Sequence, residues 1–195
     1  MKPQTILAFV TLIVTTYANP FDGRESFGDD NPKGKWLPLE DGFVWPGKVE
    51  RPPKVTSANL LVEKLPEDRA KALRTFWPED SRPKTVSFLE VDLNEDGKPE
   101  LLFNIPAYGG SGGPFYEILT RSKEGVYKSI GSLQGWGFQI VSKKNGWFQI
   151  RGMSRAGGGQ YTRYLLTFDK KAYIITRNEG HNFNTKKVTV RTGDK

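Results

Sequence analysis

Oxygen-bearing side chains stand at alternate positions in residues 92–100, which read DLNEDGKPE. Hard oxygen donors at this spacing point into one tight loop, and Gly97 permits the sharp turn that closes it. Such a donor set suits Ca²⁺, which takes about six to eight oxygens, better than Mg²⁺, which demands a stricter octahedron. The predicted ligands are the side chains of Asp92, Asn94, Asp96 and Glu100 and the main-chain carbonyl of Lys98.

Two other interpretations of this stretch compete with a calcium loop. An EF-hand requires an acid at its last loop position, which is Phe103 here, and helices on both flanks, whereas residues 86–91 and 101–105 are β-prone. A plain acidic hairpin turn is the simpler alternative, because Asp96-Gly97 alone favours turns. The complete pattern is more specific than that dipeptide, and it predicts a calcium loop between two strands.

The pattern D-x-N-x-D-G-x-x-E resembles the D-x-D-x-D-G-x-x-D loops of FG-GAP and VCBS repeats. In those loops the alternate residues are the metal ligands, which implies the same set here, although Asn94 and Glu100 depart mildly from the pattern. More loosely, residues 88–168 resemble uncharacterised exported bacterial proteins that combine one such loop with glycine-rich hairpins. This resemblance implies an all-β calcium-loop domain and no established activity. It rests on residues 109–116 (GGSGGPFY), 129–137 (SIGSLQGWG), 145–150 (NGWFQI) and 156–163 (AGGGQYTR).

Residues 109–113 (GGSGG) also fit the G-x-S-x-G pattern of serine hydrolases. A nucleophile elbow places its serine between a strand and a helix, but PFYEI follows here and predicts another strand. The single histidine, His181, lies far along the chain in a polar segment. We therefore predict a hairpin turn, no catalytic residues and no phosphate-binding loop, since no helix N-terminus follows.

A third interpretation makes residues 109–116 a protruding recognition loop. The candidate partner-binding residues are then Ser111, Tyr116 and Tyr161, the last of which follows a second glycine-rich turn. Residues 111–116 (SGGPFY) resemble the loops by which periplasmic lysozyme inhibitors enter the cleft of their target. The resemblance implies an alternative function, that of a periplasmic inhibitor or an envelope ligand-binding module.

The elements that must position these residues are mainly β-strands. About nine strands at near-regular spacing predict an antiparallel sandwich or an open barrel. Asn145-Gly146 predicts a two-residue type I′ hairpin between two of them. Aromatic residues alternate along several runs, which favours core and cross-strand pairs over a sugar-binding platform. The β-prone runs are 85–92, 100–105, 115–121, 126–132, 137–142, 147–152, 160–169, 172–177 and 186–191.

One or two short helices are predicted before the strands, within residues 57–77. Ser57 is a candidate cap for the first helix, and Pro66 begins a second one that Trp77 ends. The apolar residues that recur at roughly helical spacing are Leu60, Leu61, Leu65, Leu73 and Phe76.

The N-terminal residues 1–18 have the pattern of a secretory signal peptide. Lys2 supplies the positive charge, residues 6–14 (ILAFVTLIV) form the apolar region, and Thr16 and Ala18 precede the expected cleavage point. The apolar run is far shorter than the roughly 20 residues that span a bilayer. We therefore expect a periplasmic or extracellular protein with no transmembrane segment after cleavage.

A separate arm or linker is predicted at residues 19–56, before the β domain of residues 57–195. The arm holds six of the 13 prolines and five of the glycines, and it shows no apolar periodicity. Trp36, Phe43 and Trp45 are candidates for attaching it to the domain, because large aromatics are seldom left free in a linker.

Composition narrows the remaining function classes. A chain of 195 residues suits one domain, and its lack of cysteine excludes disulfides, thiolate zinc sites and cysteine nucleophiles. Its single histidine excludes a multi-histidine metal site. The net charge of +7 favours acidic envelope proteins or anionic polymers as partners. Nucleic acid is not an expected partner, because no reader motif is present.

Overall fold

The computed structural model describes residues 36, 37, 39, 41–77, 84–104 and 109–193 of the chain. The predicted signal peptide, residues 1–18, and residues 19–35 of the predicted arm lie outside this part. No helix within the described part is long and apolar enough to cross a membrane.

The described strands form two antiparallel five-stranded sheets, and in each sheet every strand pairs with the next along the chain. The arrangement is sandwich-like and is not a closed barrel, which confirms the predicted mainly β fold. The first sheet contains β1 (Val55–Leu61), β2 (Thr85–Val91), β3 (Glu100–Asn104), β4 (Phe115–Arg121) and β5 (Tyr127–Gln134). The second contains β6 (Gly137–Lys144), β7 (Trp147–Gly157), β8 (Gln160–Phe168), β9 (Tyr173–Asn182) and β10 (Lys187–Thr192).

All nine strands predicted from the sequence are confirmed, as β2 to β10. The predicted hairpin at Asn145-Gly146 is confirmed as well: Lys144 pairs with Trp147 across it. Asn145 has φ +57° and Gly146 has φ +81°, the left-handed values that a type I′ turn requires at both central residues.

Of the two helices predicted within residues 57–77, one is confirmed. Helix α1 (Glu67–Phe76) follows Pro66 and ends before Trp77, which confirms the second predicted helix. The first helix, predicted to begin at Ser57, is wrong, because this stretch forms β1 and pairs with β2. The 3₁₀ turn Val62–Lys64, followed by Leu65 and Pro66, connects that strand to α1.

Side-chain alternation along the strands builds three apolar layers. The main core lies between the sheets and includes Ile118, Phe138 and Leu166. A second core packs α1 against the outer face of the first sheet, and a small third cluster lies on the outer face of the second sheet beside Trp36. Burial of each large apolar side chain contributes about 1.5–3 kcal/mol, so the central layer dominates the stability.

Candidate metal site

The predicted calcium ligands lie in the loop that joins β2 to β3. Asp92 Oδ2 accepts a hydrogen bond from the Gly97 amide at 2.8 Å. Asn94 Oδ1 accepts from the Asp96 amide at 2.9 Å, and Asp96 Oδ1 accepts from the Lys98 amide at 2.8 Å. Each of the three side chains therefore bonds to an amide of the loop itself, and the side chain of Asp96 remains exposed.

The backbone of this loop needs two residues in the left-handed region. Glu95 has φ +59° and Gly97 has φ +81°. An L residue is strained at such angles, so Gly97 serves the sharp turn that the sequence predicted at this position.

Glu100 lies at the base of the loop, where it begins β3 and is only 1 % exposed. Its Oε2 accepts from the Leu93 amide at 2.9 Å, and its Oε1 accepts from the Thr120 hydroxyl at 3.1 Å. Burial raises the pKa of Glu100 to about 7, and the nearby carboxylates of Asp96 and Asp92 add to the rise. No lysine, arginine or histidine of the described residues pairs with it.

The loop also contacts the second sheet. The Leu93 carbonyl accepts from the Phe148 amide at 2.8 Å, at the start of β7. The carboxylate of Glu95 pairs with the ammonium of Lys143 in β6. The loop therefore links the two sheets at one end of the sandwich.

The acidic side chains of the loop are not gathered around one point. Among the described residues, no group of three or more histidine, aspartate or glutamate side chains is placed to hold a metal ion. Asp92 and Asp96 bond to loop amides, and both Glu100 oxygens face Leu93 and Thr120. The donor chemistry fits Ca²⁺, because each of these oxygens is hard and three of the side chains are carboxylates.

The candidate partner-binding residues do not lie together on the surface. Ser111 is exposed, and its carbonyl accepts from the indole nitrogen of Trp136 at 3.0 Å. Tyr116 is buried in the central core against Phe138, and Tyr161 is buried against Phe183. Partner contact through the two tyrosines needs accessible rings, but Tyr116 faces the central core and Tyr161 is covered within the third cluster on the outer face of the second sheet.

The surroundings of Ser111 lack the framework of a nucleophile elbow. Strand β4 follows the glycine-rich turn, where the elbow requires a helix. His181 lies in β9, where its ring contacts Glu179 and Trp36. Within the described part of the chain, Ser111 and His181 share no hydrogen bond.

A buried charged cluster that the sequence did not predict lies on the outer face of the second sheet. We call it the Glu179 cluster: Glu179, Arg163, Arg177 and His181. Both arginines donate from Nε to Glu179 at 2.5 Å, and the carboxylate is 0 % exposed. Burial by itself raises the pKa of Glu179, but hydrogen bonds from His181, Arg163 and Arg177 outweigh it and lower the pKa to about 2. The signal was charge at alternate positions of one strand, 177, 179 and 181.

Part of the predicted arm covers this cluster. The rings of Trp36 and Trp45 lie 4.9 and 4.6 Å from the guanidinium of Arg163. Phe43 lies 3.8 Å from the guanidinium of Arg177, and Asp41 pairs with the same arginine at 2.6 Å. These aromatic contacts attach the segment to the outer face of the second sheet.

Fold and loop together define the class of this chain. It is a two-sheet antiparallel β domain in which an oxygen-rich loop of the first sheet also contacts the second sheet. No protein-family model, curated protein or solved structure matches it. Its function therefore has to be inferred from its own residues.

Proposed function

We propose that the chain is an exported, non-catalytic calcium-binding β domain in which Ca²⁺ fixes the loop between β2 and β3. The observation that carries the proposal is the buried Glu100 carboxylate, which has no cationic partner among the described residues. It lies beneath a loop whose two aspartates, Asp92 and Asp96, bond to the loop's own amides. A bound divalent cation neutralises these charges. The proposed ligands are Asp92, Asn94, Asp96 and Glu100 through their side chains and Lys98 through its carbonyl.

The contacts of the loop favour a structural role for the ion. Leu93 bonds to Phe148 and Glu95 pairs with Lys143, so the loop reaches from the first sheet to the second. An ion that fixes the loop also fixes this junction. Because an unfolded chain lacks the assembled site, the binding free energy adds to the stability of the folded state. The signal-peptide pattern supports a periplasmic or extracellular location, where calcium is abundant enough to fill weak sites.

Calcium is expected to raise the melting temperature of the wild-type domain. At a free concentration ten times the Kd, binding contributes about 1.4 kcal/mol, which corresponds to roughly 3–6 °C for a domain of this size. Asp92→Asn removes one ligand charge and keeps the side chain's size, so it is expected to abolish most of the shift. Thermal melts in calcium and in chelator, followed by circular dichroism, measure both effects.

Asp169→Asn is the matched control for this experiment. Asp169 also accepts two backbone amides in an exposed turn, those of Lys171 and Ala172 at 2.9 Å, but it lies between β8 and β9. This variant is expected to retain the full calcium shift. Coincident wild-type melts in calcium and chelator, or a full shift in Asp92→Asn, would contradict the proposal.

A second candidate function is recognition of an envelope protein through residues 109–116. The observation that favours it is Trp136, which is 58 % exposed beside the tip of this turn and bonds to the Ser111 carbonyl. Tryptophan is enriched among the few residues that contribute most of the binding free energy at protein interfaces. The turn is also preformed: a Cβ at Gly113 would lie 2.4 Å from the backbone of Gly135.

If this second candidate is correct, Trp136→Ala is expected to weaken inhibition of a lysozyme about 30-fold, the effect of losing one interface hot spot. Ser111→Ala is expected to matter less, because the carbonyl of residue 111 makes the contact with Trp136. Val44→Ala is the control, since Val44 is also exposed but belongs to the segment on the second sheet. Inhibition constants measure these effects. Absence of inhibition by the wild type, or equal inhibition by Trp136→Ala, rejects this candidate.

A further inference from the structure

A polar cavity of about 290 Å³ lies over one face of the second sheet, at strands β8, β9 and β10. This volume equals that of roughly ten water molecules, which is enough for a ligand the size of one sugar ring. The cavity differs from most small-molecule sites because its described lining contains no purely aliphatic or aromatic side chain. The lining residues are Thr162, Asn178, Gly180, Thr189 and Arg191.

Strand register explains why these residues meet. Thr162 pairs with Gly180, and Gly180 pairs with Thr189, so the three form one row across the sheet. Asn178 pairs with Arg191 in the next row on the same face. Two adjacent cross-strand rows therefore direct their polar groups into one space.

Gly180 makes the floor of the cavity. A Cβ built on it would meet only the Thr189 carbonyl oxygen, at 4.0 Å, so a side chain there would project into open space. The backbone does not require glycine at this position, because Gly180 has no positive φ. Glycine within a strand weakens the strand, and it often marks a place where a ligand approaches the backbone closely.

The polar groups of the cavity have no side-chain partners within the described residues. No hydrogen bond is formed there by the side chains of Thr162, Asn178 or Thr189, and Arg191 has no ion pair. Lys187 projects from the same face of β10, about 13 Å along the strand from Arg191. None of the described residues that line the cavity is a carboxylate, so Arg191 gives this lining a positive charge.

We propose that this cavity binds a small hydroxylated carboxylate, a sugar acid by chemical class. The Arg191 guanidinium pairs with the carboxylate, since planar guanidinium and carboxylate groups match in geometry. Two threonine hydroxyls and the Asn178 carboxamide, which can both donate and accept, bond to the ligand's hydroxyl groups. The proposal concerns the face opposite the Glu179 cluster and does not depend on calcium binding.

The first test is a titration of the wild-type protein with glucuronate and with glucose, followed by calorimetry or by amide chemical shifts. The two probes share a ring and differ in the carboxylate. Glucuronate is expected to bind with a Kd in the millimolar range, because the cavity is open and offers few contacts. Glucose is expected to bind at least tenfold more weakly. Failure of glucuronate to bind at about 10 mM, or equal binding of the two probes, overturns the proposal.

Three variants of cavity residues and one control variant outside the cavity locate the site. Arg191→Gln and Thr162→Val are each expected to weaken glucuronate binding tenfold or more, whereas Lys171→Gln, which removes an exposed charge in the β8–β9 turn, leaves it unchanged. Gly180→Val places a side chain in the cavity, at a position where a Cβ comes no closer than 4.0 Å to the Thr189 carbonyl, and is expected to abolish binding while the melting temperature is maintained. Undiminished binding by Gly180→Val, or equal losses in Arg191→Gln and Lys171→Gln, overturns the assignment to this cavity.

Discussion

Glu179→Gln is expected to lower the free energy of unfolding by about 3–5 kcal/mol, the largest effect of any single substitution considered for this chain. The substitution keeps the size of the side chain but removes the carboxylate charge that Arg163 and Arg177 share, whereas Asp41 continues to pair with Arg177. The side chains of Arg177 and Arg163 are 4 % and 17 % exposed, so water cannot replace the lost carboxylate. A marginally stable domain of about 5–15 kcal/mol loses a large share of its stability. Midpoints of urea unfolding measure the loss.

Glu67→Gln provides the matched comparison. Glu67 also pairs with an arginine, Arg74, at 2.6 Å, but this pair is on the surface and the glutamate side chain is 84 % exposed. Exposed pairs contribute about 1 kcal/mol or less, so this variant is expected to unfold close to the wild-type midpoint. Equal losses in Glu67→Gln and Glu179→Gln would show that the buried cluster contributes no more than a surface ion pair.

The same cluster predicts sensitivity to acid. The pKa of Glu179 is lowered from the usual glutamate value of 4.5 to about 2, so folding favours its ionised form. Its contribution is therefore fully present above pH 4.5 and is lost as the pH falls toward 2. Glu179→Gln should remove this part of the acid dependence.

Local signals account for the part of the fold that the sequence predicted. Each hairpin from β2 onward combines β-branched or aromatic runs with turn residues, and Asn145-Gly146 even specifies its turn type. The sequence predicted a helix where β1 lies, because Leu60, Leu61 and Leu65 also satisfy a helical spacing. Its structure is decided by a partner far along the chain: Val55 pairs with Val91 and Leu61 with Thr85. Tertiary pairing overrides a short local pattern of this kind.

The candidate sites also differ in whether the local sequence could predict them. The loop of residues 92–100 could be proposed as a calcium site from the sequence because its oxygen donors lie within nine consecutive residues. The Glu179 cluster could not, because Arg163 meets Glu179 only through the register of β8 with β9, and charged residues in a polar stretch suggest a solvated surface. The cavity at Gly180 depends on three strands, and its sequence signal is a single glycine inside β9.

Without calcium, the domain is expected to lose about 3 kcal/mol of stability as the pH rises from 4.5 to 7. Burial raises the pKa of Glu100 from the usual glutamate value of 4.5 to about 7, so the folded state holds a proton that the unfolded state releases. Folding is therefore favoured below pH 4.5, and this advantage disappears as the pH passes through 7, at about 1.4 kcal/mol per pKa unit. Urea unfolding in chelator at a series of pH values measures the slope.

Glu100→Gln is expected to flatten this dependence, because glutamine matches the neutral acid in shape and can still accept from Leu93. Glu95→Gln is the control within the same loop: Glu95 is exposed and pairs with Lys143, so the slope should persist in that variant. A slope that is unchanged in Glu100→Gln contradicts the assignment to this carboxyl. The response of Glu179 falls below pH 4.5 and does not overlap with this range.

The proposed calcium site and the pH dependence assigned to Glu100 can be tested against each other. A metal ligand must be ionised, so Ca²⁺ bound to Glu100 displaces its proton and is expected to remove the loss of stability between pH 4.5 and 7. Binding should then tighten as the pH rises toward 7 and release a proton to the buffer. If calcium stabilises the domain but leaves the slope intact, Glu100 is a buried acid beneath the site and not one of its ligands. If calcium neither stabilises the domain nor alters the slope, the loop is an acidic turn whose aspartates serve only its own amides.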